Sequence, residues 1–249
     1  MQELSGKVAI VTGAGRNIGR AIALALADGG ASVLVATRTN RAEAEAVVRD
    51  IETAGSKGLV HLADVADAKA VQSMTDAALL RFGRIDFLVN NAALRREKSF
   101  DAMTHVEWRQ IMDVTLDGAF HCVKACLPAL RKSGAGAVIN IGGLSAHTGA
   151  RDRAHVVTAK AGIVGFTRAL AHDLAADNIT VNCVVPGLIG TPRAKNAPEP
   201  AHHLTHGTIS GERGRPDDVA AAVRYLCSPA ARYVTGQSIH VNGGAYLAS

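Results

Sequence analysis

Short apolar segments alternate with longer segments of helical periodicity along the whole chain. The apolar segments are continuous runs rather than strictly alternating ones, and most stop at glycine or a polar residue. Continuous apolar runs indicate strands buried on both faces, as in a parallel sheet covered by helices. Strands are predicted at residues 7–12, 32–37, 57–62, 85–90, 137–141, 179–185 and 238–241. Helices are predicted at residues 18–27, 41–54, 68–82, 105–132, 155–176 and 217–227.

This alternation of strands and helices predicts an α/β fold. Because parallel crossovers are right-handed, we expect a doubly wound, Rossmann-type parallel sheet with helices on both faces. No linker or internal repeat divides the chain, so residues 1–249 are expected to form a single domain. A stretch at about 191–215, rich in proline and glycine, predicts a lid-like substrate loop, since loops of this length in compact domains are usually functional.

Composition narrows the class of protein. With 48% apolar and 20% charged residues, the chain is typical of a folded globular protein rather than a disordered one. No apolar run approaches the roughly 18 residues of a membrane helix, and the first residues lack the apolar core of a secretory signal. We therefore expect no membrane association and a cytoplasmic location. Four cysteines without a CxxC pair indicate buried, reduced thiols.

The net charge of +5 raises the question of a nucleic-acid partner. The basic residues are scattered, however, and there are only three Tyr, five Phe and one Trp to stack on bases. We therefore expect no nucleic-acid partner. Scattered solvated arginines, with a few that meet an anionic small molecule, account for the charge.

A glycine-rich turn connects the first predicted strand to the first helix, with the sequence Thr12-Gly13-Ala14-Gly15-Arg16-Asn17-Ile18-Gly19. Glycines let the backbone approach a pyrophosphate, and a helix N-terminus supplies amide donors and a favourable dipole. At this place in an alternating chain, the turn predicts dinucleotide binding.

Further motifs follow in a fixed order: Asp64-Val65, Asn90-Asn91-Ala92-Ala93, Lys160, Pro186-Gly187, Gly236-Gln237 and Asn242-Gly243-Gly244. Together with the glycine turn, they make essentially the whole chain resemble the short-chain dehydrogenase/reductase family. Asn17 and Ala93 stand where the family usually has glycine. Asparagine tolerates left-handed backbone angles better than most residues, so the turn is expected to survive.

The resemblance implies cofactor roles for the motif residues. The pyrophosphate would be surrounded by Gly13, Arg16, Asn17, Ile18 and Gly19. The adenine would lie against Asp64 and Val65, and its ribose against Asn90, Asn91 and Ala92. Lys160 would contact the nicotinamide ribose, and the carboxamide would meet Ile189 and Thr191, which follow Pro186 and Gly187. Family members are commonly homotetramers, so a homo-oligomer, tetramer or dimer, is expected.

The end of the second strand indicates which nicotinamide cofactor binds. An NAD-preferring site has Asp or Glu there to accept from the ribose 2′-hydroxyl, whereas this chain has Thr37 followed by Arg38. Arg16 and Arg38 can bind a 2′-phosphate bidentately, which favours NADP(H). The alternative is that both are solvated surface arginines.

The catalytic positions depart from the family pattern. Lys160 matches the family lysine, but Val156 stands four residues before it in place of Tyr, Gly143 in place of Ser, and Thr115 in place of Asn. A positioned acid contributes roughly 10²–10⁴ in rate, so a substitute is needed for ketone reduction. Ser145 and His155 are the nearby candidates, which with Lys160 complete the predicted catalytic set.

Three functions remain open. The first is an NADP(H)-dependent reductase with a non-standard active site that acts on C=N or conjugated C=C bonds of a small molecule. Such substrates need no acid on a carbonyl oxygen, unlike simple ketones. The second is a non-redox NADP(H)-binding protein with a sensor or structural role. The third is lyase or isomerase chemistry through His155 or His202.

The predicted lid carries His202, His203 and His206. Histidines four residues apart can ligate a metal, but no third ligand is evident nearby in the sequence. We therefore predict no metal site and a lid that contacts substrate.

Overall fold

A computed structural model describes residues 2–191 and 207–247. In this part of the chain, strands and helices alternate as predicted. The strands are β1 (Val8–Thr12), β2 (Ser32–Thr37), β3 (Gly58–Leu62), β4 (Phe87–Asn90), β5 (Ala137–Ile141), β6 (Thr180–Pro186) and β7 (Ser238–Val241). The helices are α1 (Asn17–Asp28), α2 (Arg41–Thr53), α3 (Ala68–Phe82), α4 (His105–Met112), α5 (Gly118–Ser133), α6 (Ser145–Thr148), α7 (Ala154–Asp173) and α8 (Pro216–Cys227).

The strands form one parallel sheet in the order β3-β2-β1-β4-β5-β6-β7. This confirms the predicted doubly wound α/β fold. The strand order reverses between β1 and β4, and ligands of such sheets bind in the crevice at the carboxyl ends of the strands on either side of that point.

Successive strand residues enter two separate cores. In β1, Ala9 and Val11 pack in a cluster with α1, α2 and α8, whereas Ile10 packs on the opposite face with α3 and α5. Both faces are buried, which is why the strands read as continuous apolar runs. The four cysteines are buried and form no disulfide, as predicted.

Two local features differ from the sequence prediction. The single helix predicted at residues 105–132 is interrupted by a π-helical turn at Asp113–Asp117, which separates α4 from α5. Such turns are frequent at functional sites, and this one buries the Thr115 side chain. Helix α6 has only four residues, too few to show helical periodicity in the sequence.

Hydrogen bonds hold the β1–α1 turn against the end of β4. The Asn91 side-chain amide donates to the carbonyl oxygens of Thr12 and Gly13 at 2.9 and 3.0 Å. The Thr12 hydroxyl oxygen accepts from the backbone amides of Asn91 and Ala92 at 3.0 and 3.1 Å. The turn is therefore positioned by β4 as well as by its own strand.

The turn also depends on two unusual positions. Asn17 has φ = +51°, so asparagine does adopt the left-handed conformation expected of it. At Gly19, a Cβ atom would lie 2.2 Å from the Gly13 carbonyl oxygen and 2.5 Å from Nδ2 of Asn91. Only glycine permits this approach.

We expect Gly19→Ala to lower the free energy of unfolding by about 1–3 kcal/mol, because the new methyl group meets backbone that cannot move aside. The matched control is Gly165→Ala in α7, where a Cβ would meet nothing within 4 Å. That variant is expected to be about 0.5–1 kcal/mol more stable than the parent, since alanine favours a helix interior. Urea unfolding measures both, and equal stability of the two variants would contradict the close approach.

Candidate active site and cofactor cavity

A cavity of about 620 Å³ opens at the carboxyl ends of β1, β2 and β4. Its walls come from the β1–α1 turn, the end of β2, the first turn of α2, the segments after β3 and β4, the π-helical turn and Thr191. This is the crevice where a doubly wound sheet holds its ligand.

Most of the predicted cofactor residues lie in this wall, namely Gly13, Arg16, Asn17, Ile18, Gly19, Arg38, Asp64, Val65, Asn91, Ala92 and Thr191. The structure therefore brings together the residues predicted for the pyrophosphate, adenine and ribose. Their contacts with a cofactor stay predictions.

Asn90, Pro186, Gly187 and Ile189 are not in the wall of this cavity. The Asn90 amide donates to the Asn140 side chain at 2.8 Å, and the Pro186 and Gly187 backbone braces neighbouring segments. Gly187 approaches Asn242 so closely that a Cβ there would lie 2.6 Å from its Cα atom. These residues therefore hold neighbouring segments together outside the cavity wall.

The glycine turn suits an anionic dinucleotide. Arg16, which precedes α1, makes no side-chain cap, and the first turn of α1 contains no acidic residue. The first amide groups of the helix therefore have no side-chain acceptor and lie at the cavity wall, where a pyrophosphate would accept from them. The residues present fit such a group.

Lys160 lies beyond this cavity, on α7. Its side chain is buried, and Nζ donates to the Ile141 carbonyl oxygen at 2.5 Å. The pKa of Lys160 is lowered to about 8, chiefly by burial and also by the positive charges of Arg95 and Arg153, against an opposing effect of Cys183. Arg95 also lines the cavity, so one of the cations that act on Lys160 belongs to the cavity wall.

Apolar and small groups surround the positions next to Lys160. Val156, one helical turn before the lysine, is 3% exposed and packs in a cluster that includes Met112 and Trp108. At Gly143, a Cβ would meet only the Lys160 side chain, at 3.9 Å. The Thr115 hydroxyl is buried and has no hydrogen-bond partner among the described residues.

The other two predicted catalytic residues lie off the cavity wall. His155 is fully buried on α7, and neither ring nitrogen has a hydrogen-bond partner in the described part of the chain. Burial lowers the pKa of His155, and the charged groups near it include Arg153, Glu107 and Arg96. Ser145 is the first residue of α6 and is partly buried. Their catalytic roles stay predictions.

Only part of the predicted lid can be described. Residues 207–215 are placed, and Gly214 forms a parallel bridge with Ile189. His202, His203 and His206 lie outside the described residues. Within residues 2–191 and 207–247, no group of three His, Cys, Asp or Glu side chains is arranged to hold a metal ion.

Among the wall residues that sequence reasoning missed, two carry a charge. Arg95 lies two residues after the Asn90–Ala93 motif. Its position just after a predicted strand was the feature of the sequence that could have indicated a place in the cavity wall. Glu43 is six residues beyond β2, and only the path of the chain into α2 brings it to the cavity.

Comparisons with known proteins agree with this architecture. A family model described as enoyl-(acyl carrier protein) reductase matches residues 13–246. The 3-oxoacyl-(acyl-carrier-protein) reductase FabG of Staphylococcus aureus strain Mu50 is 38% identical over 242 residues, which are 97% of this chain and 98% of the relative. The 3-oxoacyl-(acyl-carrier-protein) reductase of Synechocystis sp. is 38% identical over 248 residues, 99% of this chain and 100% of the relative.

Two solved structures have the same fold. A 7α-hydroxysteroid dehydrogenase complexed with NADH and 7-oxo glycochenodeoxycholic acid has a TM-score of 0.91 and 34% identity, covering 97% of this chain and 94% of its own. A dehydrogenase/reductase from Sinorhizobium meliloti 1021 has a TM-score of 0.92 and 33% identity, covering 98% and 96%. The fold and site define a nucleotide-binding α/β protein of the oxidoreductase type. The chain belongs to the short-chain dehydrogenase/reductase family.

The helices of this protein were also compared with the length and apolar character of a membrane span. Among the described residues, no helix combines the length and the apolar character that a membrane crossing requires.

The buried Lys160 predicts a pH-dependent stability difference. Its pKa is about 8 in the folded protein, against an ordinary value of 10.5, so between these values the unfolded chain binds more protons and the stability of the parent rises with pH. We therefore expect Lys160→Met to gain stability relative to the parent below pH 8, and this gain to shrink toward pH 10. Urea unfolding at pH 7 and pH 10 measures the difference, and a constant difference would contradict the burial of the ammonium group.

Proposed function

We propose that this protein is an NADP(H)-dependent reductase with a non-standard active site that reduces conjugated C=C bonds rather than simple ketones. The observation that carries the proposal is the surroundings of Lys160. Gly143 and the buried Val156 occupy the positions where the family resemblance places the hydroxyl donors. A bound reduced nicotinamide would supply the hydride, and the residues of this chain determine which class of substrate accepts it.

We expect this site to reduce a simple ketone slowly. Hydride attack on a carbonyl carbon builds negative charge on oxygen, which needs a positioned proton donor. Val156 packs into an apolar cluster and Gly143 has no side chain, so neither donates. Losing such a donor costs roughly 10²–10⁴ in rate.

The charges around Lys160 favour C=C over C=N substrates. Arg95 and Arg153 both act on Lys160 as positive charges, whereas Cys183 acts on it in the opposite sense. In this proposal the net charge around Lys160 is positive. An iminium substrate is cationic and is repelled by such a field, whereas conjugate reduction develops an enolate anion that the field stabilises. The matching family model is described as an enoyl-(acyl carrier protein) reductase, which supports a C=C substrate. The two curated relatives are named 3-oxoacyl-(acyl-carrier-protein) reductases and support only the oxidoreductase class.

Among the residues of this site, Lys160 is the titratable group best placed to hold or release a proton during the reaction. Its buried ammonium group is held by the Ile141 carbonyl oxygen, and Gly143 leaves open space beside its stem. A pKa near 8 lets the lysine hold a proton at neutral pH and release it readily. In this proposal hydride addition at the β-carbon gives an enolate whose oxygen is stabilised by the Lys160 ammonium group, and the α-carbon then takes a proton from water. Ser145 and His155 are secondary candidates for proton transfer.

The cofactor assignment rests on the end of β2. Thr37 stands there without a carboxylate, and Arg38 and Arg16 both line the cavity. Their guanidinium groups suit the 2′-phosphate of NADP(H). A nicotinamide cofactor is also supported by the similar dehydrogenase structure, which holds NADH.

We also propose a cytoplasmic homo-oligomer that acts on a small molecule and has no nucleic-acid or membrane partner. Exposed apolar side chains on the helices around the π-helical turn, Val106 and Phe120, support a subunit contact there. A monomeric mass in sedimentation would contradict the oligomer.

The substrate class is tested by NADPH oxidation against matched ketones, cyclic imines and enones. We expect enones to exceed saturated ketones in kcat/KM by about 10² or more. The localised alkoxide formed from a ketone requires the missing proton donor, whereas a delocalised enolate can be stabilised by the charge of Lys160 and protonated at carbon. Rapid turnover of simple ketones would contradict the proposal. No turnover of any substrate, with tight NADPH binding retained, would instead favour a non-redox role.

The cofactor assignment is tested by Arg38→Asp. Replacing a cation by an anion at a 2′-phosphate site is expected to weaken NADPH binding by about tenfold or more, which corresponds to about 1.4 kcal/mol. NADH binding should change far less. Arg49→Asp makes the same charge change on the exposed face of α2 and serves as the control. An unchanged ratio of NADPH to NADH affinity in Arg38→Asp would overturn the assignment.

A further inference from the structure

The Glu43 side chain lines the end of the cavity where the adenosine is expected, and it comes from α2 rather than from β2. The end of β2, where an acid that reads the ribose 2′-hydroxyl is normally found, carries Thr37 instead. Glu43, in the first turn of α2, lines the same cavity as Thr37, Arg38 and Arg16. The site therefore contains cationic groups that would attract a 2′-phosphate and an anionic group that would repel it.

The glutamate lies between the glycine turn and the end of β2. A Cβ atom at Gly15 would be 3.3 Å from Glu43 Cβ, 3.4 Å from Glu43 Oε2 and 3.4 Å from Thr37 Cγ2. The carboxylate is thus beside the two segments that flank the adenosine ribose in a dinucleotide site. Glycine at position 15 leaves the room that this side chain occupies.

Local hydrogen bonds fix the backbone that presents Glu43. The Asn40 side-chain oxygen caps α2 by accepting from the Glu43 amide at 3.2 Å. The Thr37 hydroxyl donates to the Asn40 carbonyl oxygen at 3.4 Å, which draws the start of α2 back toward the end of β2. The sequence between β2 and α2 therefore directs this residue to the cavity.

The Glu43 carboxylate differs from the other acid on this part of the helix. Glu45 pairs with Arg41 at 3.9 Å on the solvent side of α2. Glu43 is partly buried and forms no ion pair within 4 Å in the described part of the chain. Glu43 lines the cavity, and its Oε2 atom lies beside Gly15 of the glycine turn rather than in an ion pair.

We infer that Glu43 is a specificity-determining residue that accepts from the ribose 2′-hydroxyl of NADH and repels the 2′-phosphate of NADPH. This inference rests on the proposed nicotinamide function and deepens it. Arg16 and Arg38 attract the phosphate while Glu43 opposes it, so the protein binds both cofactors with a limited preference.

The test is the pair of dissociation constants for NADPH and NADH, measured by fluorescence titration without any substrate. Glu43→Gln keeps the shape of the side chain and removes its charge. We expect it to raise the affinity ratio of NADPH to NADH by about tenfold, since a like charge is removed from beside the phosphate. Glu45→Gln, the matched control on the same helix, should leave the ratio within about twofold of the parent. Glu43→Ala should move the ratio in the same direction as Glu43→Gln.

The outcomes separate this inference from the cofactor proposal. If Glu43→Gln moves the ratio no more than Glu45→Gln does, while Arg38→Asp still lowers it, the role of Glu43 is wrong and the NADP(H) assignment stands. If Arg38→Asp leaves the ratio unchanged and Glu43→Gln weakens NADH binding, Glu43 reads the 2′-hydroxyl as inferred and the NADP(H) assignment is wrong.

Discussion

The close approach of the β1–α1 turn to the end of β4 is the constraint on which the rest of the site depends. Asn91 and Thr12 join the two segments by hydrogen bonds, and Gly19 removes the side chain that would separate them. This contact sets the position of α1 and hence of its uncapped amide groups. The turn is also joined to β2, because the Ala14 amide donates to the Ala36 carbonyl oxygen at 2.9 Å, next to the segment that carries Arg38 and leads to Glu43. Cofactor recognition therefore depends on backbone packing as much as on side-chain chemistry.

Around Lys160, Gly143 and Val156 occupy positions where the family resemblance implies hydroxyl donors. Lys160 is buried beside Gly143, while Val156 closes the neighbouring position with an apolar side chain. Arg95 and Arg153 add positive charge. In the proposed function, such a site would stabilise a developing anion by its charge rather than by a single short hydrogen bond. The proposed preference for conjugated C=C bonds follows from this difference.

The sequence predicted the fold well because its strands are buried on both faces and its turns carry glycine. It also predicted the left-handed conformation of Asn17 from the chemistry of asparagine. It could not predict the π-helical turn around Thr115, because one inserted residue barely alters helical periodicity over 28 positions. Nor could it place Arg95 and Glu43 at the cavity, since both positions depend on how loops and helix starts fold back in three dimensions. The roles of Ser145 and His155 stay predictions, because neither lies in the cavity wall.

The most direct test of the central claim is the position of deuterium in the product when NADPH deuterated at the nicotinamide C4 position reduces 2-cyclohexenone. If the site serves conjugated C=C bonds, deuterium will appear at the β-carbon of cyclohexanone. Deuterium at the carbinol carbon of an alcohol product would show that the site reduces carbonyl groups, and would contradict the account of Lys160 and its surroundings.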